Sequence, residues 1–162
     1  ISDDRIFIEV YQDNGITLPD AITDADYVDV GNSASAKVEL GKALYWDKIL
    51  SGNMNISCAT CHHPDLGFSD GRPRSVGIGE AEVRRAAPSL WNVAFLDSFF
   101  WDGRAGALAE QAKGPIENPL EMDLTLPEAV KKVRSQRHYR RAFKRIGKPI
   151  TEDSIVEAIC SS

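Results

Sequence analysis

The sequence Cys58-Ala59-Thr60-Cys61-His62 decides what kind of fold this chain can have. Two cysteines separated by two residues and followed at once by histidine form the pattern of covalent c-type haem attachment. Each thiol adds to one haem vinyl group as a thioether, and the histidine becomes the proximal ligand of the iron. The pattern therefore predicts one covalently bound haem c, attached through Cys58 and Cys61 and ligated by His62.

Two other uses of closely spaced cysteines have to be compared with haem attachment. A structural zinc site needs four ligands, and the chain adds only Cys160, His63 and His138, without the paired spacing that zinc sites favour. A thioredoxin-like dithiol would leave His62 without a role, and no βαβ pattern precedes the motif. We therefore favour haem attachment over both alternatives.

Length, composition and compartment agree with a haem protein. The 162 residues are enough for one core that encloses one haem. No run approaches the ~20 apolar residues of a membrane span, so we expect no span. Haem is attached to cysteines outside the cytoplasmic membrane, and we expect a periplasmic, mature form that begins at Ile1 after removal of an export signal. Cys160 is then an odd thiol, which we expect to be buried and inert.

The net charge of −5 conceals an uneven distribution of charged residues. Residues 1–30 carry eight acidic side chains and one arginine, whereas residues 131–148 carry nine lysines and arginines and no acid. The basic segment could attract an acidic electron-transfer partner, or it could be a solvated helical face. Aromatic residues are not interleaved with the basic ones, so we expect no nucleic-acid partner.

The chain divides into an irregular acidic N-terminal extension, residues 1–34, and a cytochrome c-like haem domain, residues 35–162. Helical spacing of apolar residues predicts a first helix over 35–46, and four glycines predict a long loop over 64–88. Further helices are predicted over 87–95, 106–113, 125–134, 139–146 and 152–160, the third of these opened by a capping box at Thr125 and Glu128. No strand is predicted. The expected fold is all-α, with short helices and long loops around the haem.

Several short blocks of sequence outside the pentapeptide indicate a more specific family of haem proteins. In order along the chain, the blocks are Leu40-Gly41-Lys42-Ala43-Leu44, Gly67-Phe68-Ser69-Asp70-Gly71, Pro88-Ser89-Leu90-Trp91-Asn92, Phe100-Trp101-Asp102-Gly103-Arg104-Ala105 and residues 110–122. Together they resemble the N-terminal haem domain of the bacterial di-haem cytochrome c peroxidases and of MauG, a relative that matures a protein-derived quinone cofactor. The resemblance covers about half of the chain densely and the C-terminal helices loosely.

The resemblance implies roles for three residues. In that family the haem of this domain meets hydrogen peroxide, so Glu121 would be the distal acid/base, Gln111 a hydrogen-bonding neighbour and Trp101 the aromatic towards a second haem. Splitting peroxide needs a group that removes one proton and returns it to the departing oxygen, and a desolvated carboxylate suits that task. Taken singly, the same residues would be a solvated acid, a helix-surface amide and a core aromatic. We expect Asp102 and Arg104 to pair within a turn.

The chain departs from the family at three points. Ile78 stands where many of the peroxidases carry a histidine that ligates the resting iron, so the resemblance implies an iron that this loop does not block. Ala86 replaces an asparagine of the family's calcium site, which disfavours calcium. The second haem domain is absent from the chain. We therefore expect either a segment of a longer protein or a separate redox partner protein. Ile155 and Ile159 need apolar cover, which favours the first of these or an obligate interface in a homo- or hetero-oligomer.

The resulting hypothesis is an oxidoreductase that reduces hydrogen peroxide with electrons from a second haem or a redox partner. Two alternatives stay open. The first is a mono-haem electron-transfer protein with Met122 or His63 as the sixth iron ligand, and the second is a haem-based subunit that binds a small ligand and signals to a partner.

Overall fold

The structure, a computed structural model, describes residues 33–162. Nearly all of the predicted N-terminal extension, residues 1–34, lies outside the described residues. The described part contains six α-helices, which are α1 (Ser33–Trp46), α2 (Cys58–Cys61), α3 (Leu108–Glu117), α4 (Leu126–Ser135), α5 (Arg137–Arg145) and α6 (Glu152–Ile159). No strand occurs in this range beyond three isolated bridge pairs. The predicted all-α class with short helices and long loops is confirmed.

The core is built by α1 and the four helices that follow the long loops. α1 packs most extensively against α6, where a Cβ on Gly41 would overlap the carbonyl group of Ala158. Only glycine permits this approach of the two helices. Fully buried side chains such as Leu44, Val133 and Phe143 fill the space between them. Each such burial contributes roughly 1.5–3 kcal/mol to folding.

The C-terminal helices begin where the sequence predicts them. In the capping box of α4, the Thr125 hydroxyl donates to Glu128 Oε2 at 2.6 Å and accepts from the Glu128 N–H at 3.4 Å. Thr151 caps α6 in the same way through Ser154. The helices predicted over 125–134, 139–146 and 152–160 are therefore confirmed to within two residues, the usual uncertainty of helix ends.

The helix predicted over 106–113 is longer than expected. α3 continues through Pro115 to Glu117, although Gly-Pro pairs favour helix ends. Proline has no N–H, so α3 lacks one hydrogen bond at this point. The Pro115 carbonyl instead accepts from the N–H of Met122 at 3.2 Å, and the Ile116 carbonyl accepts from Leu124 at 2.9 Å. The chain after α3 is thus bonded back onto the end of that helix.

The long loop predicted over 64–88 is confirmed, and it contains only the short 3₁₀ turns Pro64–Leu66 and Ile78–Glu80. The helix predicted over 87–95 is wrong. Only the 3₁₀ turn Val93–Phe95 forms there, after Asn92 in the left-handed region with φ 58°. Phe95 is 85% exposed, so the apolar side chains of this stretch find too little surface to pack against within residues 33–162 to support a helix.

The C-terminal helix is covered by the chain itself. Ile155 is only 2% exposed, and Ile159 packs against the same core. The expectation that these side chains need an outside partner is therefore wrong, because α1 supplies their cover. Cys160, expected to be buried, is only partly so, and this burial raises the pKa of its thiol. None of the helices within residues 33–162 is long and apolar enough to cross a membrane.

Candidate functional site

The pentapeptide folds as a single helical turn followed by its histidine. Ser57 precedes α2, and its N–H donates to Thr60 Oγ1 at 3.0 Å, which fixes the start of the turn. The N–H of His62 donates to the Cys58 carbonyl at 2.9 Å and closes the turn. Because residues three and four apart share one face of a helix, Cys58, Cys61 and His62 are brought to one side.

The imidazole of His62 is held by two backbone carbonyls. Its Nδ1 lies 3.0 Å from the Phe68 oxygen and 3.1 Å from the Pro88 oxygen. A carbonyl can only accept, so Nδ1 carries the proton and Nε2 keeps its lone pair. Burial lowers the pKa of His62, which favours the neutral ring. A neutral imidazole oriented through its other nitrogen is what a metal ligand requires.

The loop carbonyls around His62 are themselves held in place. The Ser69 hydroxyl donates to the Ala87 carbonyl at 2.9 Å, and the Ser89 hydroxyl donates to the Gly67 carbonyl at 2.6 Å. These bonds join the two segments of the loop that supply the acceptors of the His62 ring. The orientation of the imidazole is therefore built into the loop.

The two thiols of the motif are free and largely buried. Burial raises the pKa of Cys58 to about 12 and that of Cys61 to about 11, so both are neutral thiols at neutral pH. Tyr45 reaches them from α1, and its hydroxyl donates to the His62 carbonyl. Burial, followed by the nearby Cys58 and Cys61, raises the pKa of Tyr45. Among residues 33–162, no group of three or more His, Cys, Asp or Glu side chains is arranged to hold a metal ion.

Glu121 lies near the motif in a half-buried position. Its Oε1 accepts a hydrogen bond of 2.8 Å from Asn118 Nδ2. Burial raises the pKa of Glu121, while the Asn118 hydrogen bond and the charge of Arg104 partly oppose the rise. The negative charge of Glu121 in turn helps to raise the pKa of Cys61, behind burial and Asp70. The acid and the second cysteine of the motif are therefore within electrostatic reach of each other.

The backbone around Glu121 is held from two sides. The N–H of Ile78 donates to the Glu121 carbonyl, and the N–H of Gly52 donates to the Met122 carbonyl, both at 2.8 Å. A Cβ on Gly77 would overlap the Leu120 carbonyl, so the glycine-rich loop lies directly on this segment. The side chain of Ile78 packs against the hydrophobic core.

Gln111 and Trp101 occupy different environments. Gln111 is partly buried on α3, one helical turn before Pro115. The Pro115 carbonyl accepts the hydrogen bond from Met122, in the segment that carries Glu121. Trp101 is 69% exposed, so it is not a core residue of this chain. The predicted turn pair forms next to it, since Arg104 Nη1 lies 2.8 Å from Asp102 Oδ1. The Arg104 guanidinium also stacks over the Phe100 ring at 3.4 Å.

The two residues considered as sixth ligands, Met122 and His63, occupy different environments. Met122 is 4% exposed and belongs to the hydrophobic core. The side chain of His63 is 39% exposed, its ring packs edge-on against Trp46, and its Nδ1 accepts from the Asp65 N–H at 3.2 Å. Either residue as the sixth iron ligand therefore stays a prediction.

Large apolar side chains remain exposed around the motif. Within residues 33–162 they all lie between positions 54 and 120, namely Met54, Leu66, Trp91, Phe95, Leu96, Trp101 and Leu120. Trp91 packs edge-on against Phe68, whose carbonyl holds the His62 ring. Exposed apolar surface of this kind marks a ligand site or an interface. The thiols, the oriented imidazole and this apolar surface together fit a covalently attached haem.

Two residues of the site were not predicted from the sequence. Asn118 carries a recognisable signal, because an Asn-Pro pair predicts a turn and Glu121 follows three residues later. Tyr45 carries none, since only the packing of α1 on the motif brings its hydroxyl to His62.

Comparisons with known proteins agree with this geometry. A family model described as di-haem cytochrome c peroxidase matches residues 35–161. The methylamine utilization protein MauG of Methylorubrum extorquens is 44% identical over 108 residues, which cover 67% of this chain and 31% of that protein. The cytochrome c551 peroxidase of Pseudomonas aeruginosa is 42% identical over 126 residues, with 75% of this chain and 36% of that protein covered. The chain thus spans about a third of the length of these relatives.

Solved structures give the same result for the fold. A MauG-like protein associated with microbial copper homeostasis superimposes with a TM-score of 0.72 at 30% identity, covering 89% of this chain and 44% of that one. The diheme peroxidase BthA of Burkholderia thailandensis superimposes with a TM-score of 0.67 at 27% identity, covering 77% and 37%. The helical arrangement around the pentapeptide is therefore shared with di-haem proteins.

Proposed function

Because the chain belongs to the di-haem cytochrome c peroxidase family, which implies haem c binding, we propose that it is a peroxide-reducing oxidoreductase domain. One haem would be attached through Cys58 and Cys61 and ligated by Nε2 of His62. Hydrogen peroxide would be the oxidant, and electrons would come from a second haem or a redox partner protein. The observation that carries the proposal is the position of Glu121. This acid is half-buried, burial raises its pKa, and it lies close enough to Cys61 for the two groups to interact electrostatically.

In the proposed reaction, the carboxylate of Glu121 transfers a proton between the two oxygens of peroxide. When bound, the haem supplies the iron at which the O–O bond of peroxide is reduced. The ionised carboxylate accepts the proton of one peroxide oxygen and returns it to the other, so that water departs instead of hydroxide. With two electrons and two further protons, one peroxide yields two waters. Burial suits Glu121 to this task because it brings the pKa closer to neutral pH.

Gln111 and Trp101 complete the proposed site. The Gln111 amide can both donate and accept, so it can orient peroxide without competing for its proton. Trp101 presents an exposed indole, which we assign to the face that receives electrons. Haem attachment outside the cytoplasmic membrane makes the periplasm the proposed compartment. The expectation that Ala86 disfavours calcium stays a prediction, as does assembly into an oligomer.

A second candidate is the use of peroxide to oxidise side chains of a partner protein, as in the MauG-type relatives. It is favoured by Ile78, which stands where many peroxidases carry a ligating histidine and whose side chain packs against the hydrophobic core here. The electron-carrier alternative, with Met122 or His63 as the sixth ligand, would instead give a low-spin haem.

Peroxide turnover by the haem-loaded protein tests the proposal. Glu121→Gln removes the proton acceptor without changing the size of the side chain, so kcat/KM for peroxide should fall about 10²–10⁴-fold. Glu117→Gln, an exposed acid at the end of α3, is the matched control and should retain wild-type turnover. Equal rates for wild type and Glu121→Gln, with equal haem content, would exclude Glu121 as the acid/base.

A further inference from the structure

We propose that Asn118 is a positioning residue for Glu121. The side chain of Asn118 binds one carboxylate oxygen of Glu121, leaves the other for proton transfer and favours the ionised carboxylate. This inference rests on the proposed function, since it assigns a helper to the acid/base of that site. Its basis is a set of hydrogen bonds that fix both the place of Asn118 and the direction of its side-chain amide.

The direction of the Asn118 amide follows from its two partners. Its Oδ1 accepts from the backbone N–H of Leu120 at 3.0 Å, and its Nδ2 lies 2.8 Å from Glu121 Oε1. An N–H can only donate and a carboxylate can only accept. The opposite orientation of the amide would place two donors together at Leu120 and two acceptors together at Glu121. Nδ2 therefore donates to the carboxylate.

The backbone of Asn118 holds the same turn. Its N–H donates to the Gly114 carbonyl at 2.9 Å, at the end of α3. Its carbonyl accepts from the N–H of Glu121 at 2.9 Å and from that of Asp123 at 3.0 Å. The polar groups of Asn118 thus bind α3 on one side and the segment of Glu121 on the other. The amide cannot turn away from the carboxylate without losing the Leu120 bond.

This arrangement divides the two oxygens of Glu121 between two tasks. Oε1 is occupied by Asn118, so Oε2 is the oxygen that exchanges the proton. A donor to the ionised form opposes the effect of burial, and Asn118 is the largest of the influences that lower the pKa of Glu121. Arg104 is the charged group that also lowers the pKa of Glu121, whereas the nearby Cys61 is a neutral thiol and would be a thioether in the haem-loaded protein.

Asn118→Asp in the haem-loaded protein is the informative variant. Asp keeps the oxygen that accepts from Leu120 but replaces the donor to Glu121 with a second carboxylate oxygen. We expect kcat/KM for peroxide to fall about 10- to 100-fold, as for other residues that orient a ligand or catalytic group. In the pH profile of kcat/KM, the rise on the acidic side should move to higher pH. Asn53→Asp is the matched control, because Asn53 Oδ1 accepts from Asn55 at 3.1 Å in an exposed turn of the same kind.

A second readout does not depend on turnover. The infrared C=O band of protonated Glu121, identified by its loss in Glu121→Gln, should titrate at higher pH in Asn118→Asp than in wild type. An unchanged titration and an unchanged pH profile, at normal haem content, would overturn the inference. A shifted titration in a protein that does not turn over peroxide would support the positioning by Asn118 and reject the proposed function instead.

Discussion

The backbone N–H of Ile78 donates a hydrogen bond of 2.8 Å to the carbonyl oxygen of Glu121. This bond joins the glycine-rich loop after the haem motif to the segment that carries the proposed acid/base. Ile78 cannot ligate iron, and its partly buried side chain packs against the hydrophobic core instead. The loop therefore contributes to the site by holding Glu121 in place through its backbone.

The contact of Gly77 with the same segment gives a first prediction. A Cβ at position 77 would overlap the Leu120 carbonyl and lie 2.8 Å from the Glu121 Cα, so Gly77→Ala must displace the loop or the acid. Overpacking of this kind costs about 1–3 kcal/mol of unfolding free energy, and peroxide turnover should fall with it. Thermal unfolding and kcat/KM for peroxide measure the two effects.

Gly106→Ala is the control for this variant, because a Cβ at position 106 meets no atom within 4 Å. It should change neither stability nor turnover appreciably. Wild-type turnover in Gly77→Ala would show that the position of Glu121 does not depend on the loop.

The charge of Arg104 gives a prediction about pH. The base form of Glu121 is the ionised one, so kcat/KM for peroxide should rise with pH through the pKa of Glu121. Burial raises that pKa and Arg104 partly lowers it. Arg104→Gln removes the lowering influence, and the acidic limb of the pH profile should therefore move to higher pH.

Arg74→Gln serves as the control for the pH experiment. Arg74 is exposed, and its Nη1 lies 3.1 Å from Glu82 Oε2 in an ion pair. Its replacement should leave the pH profile unchanged. A limb that moves to lower pH in Arg104→Gln would contradict the assigned sign of the Arg104 effect.

The buried pair of Tyr139 and Asp47 gives a prediction about stability. The Tyr139 hydroxyl donates to Asp47 Oδ2 at 2.7 Å, and Asp47 Oδ1 caps the next turn through the Ile49 N–H at 2.9 Å. Tyr139→Phe removes a hydrogen bond to a charged acceptor inside the core, which should cost about 1.5–3 kcal/mol. Urea unfolding of the haem-loaded protein should show a lower midpoint with an unchanged slope. In the double variant of Tyr139→Phe and Asp47→Asn, the loss of unfolding free energy should differ clearly from the sum of the two single losses. Additive losses would mean that the two side chains are not coupled.

The sequence predicted the features that depend on residues close together in the chain. The pentapeptide predicted the haem-attachment site because that chemistry requires only two thiols and a histidine at a fixed short spacing. The reciprocal bonds of Thr125 and Glu128 likewise require only a spacing of three residues. Such local chemistry is visible in a sequence without knowledge of the fold.

Features that depend on packing could not be predicted. The apolar residues of 87–95 have helical spacing, but residues 33–162 leave side chains such as Phe95 exposed, and no helix forms. α3 continues through Pro115 because Met122 and Leu124 bond back to its last carbonyls. The contact of Gly77 with Leu120 joins residues far apart in sequence, and no spacing rule connects them.

The proposal that this chain is a peroxide-reducing haem domain is tested most directly by electronic and EPR spectra of the ferric protein, recorded before and after mixing with hydrogen peroxide. Because Ile78 cannot ligate iron, we expect a high-spin haem whose spectrum changes on mixing. The change should be slowed by orders of magnitude in Glu121→Gln. A wholly low-spin ferric spectrum that peroxide leaves unchanged would contradict the proposal.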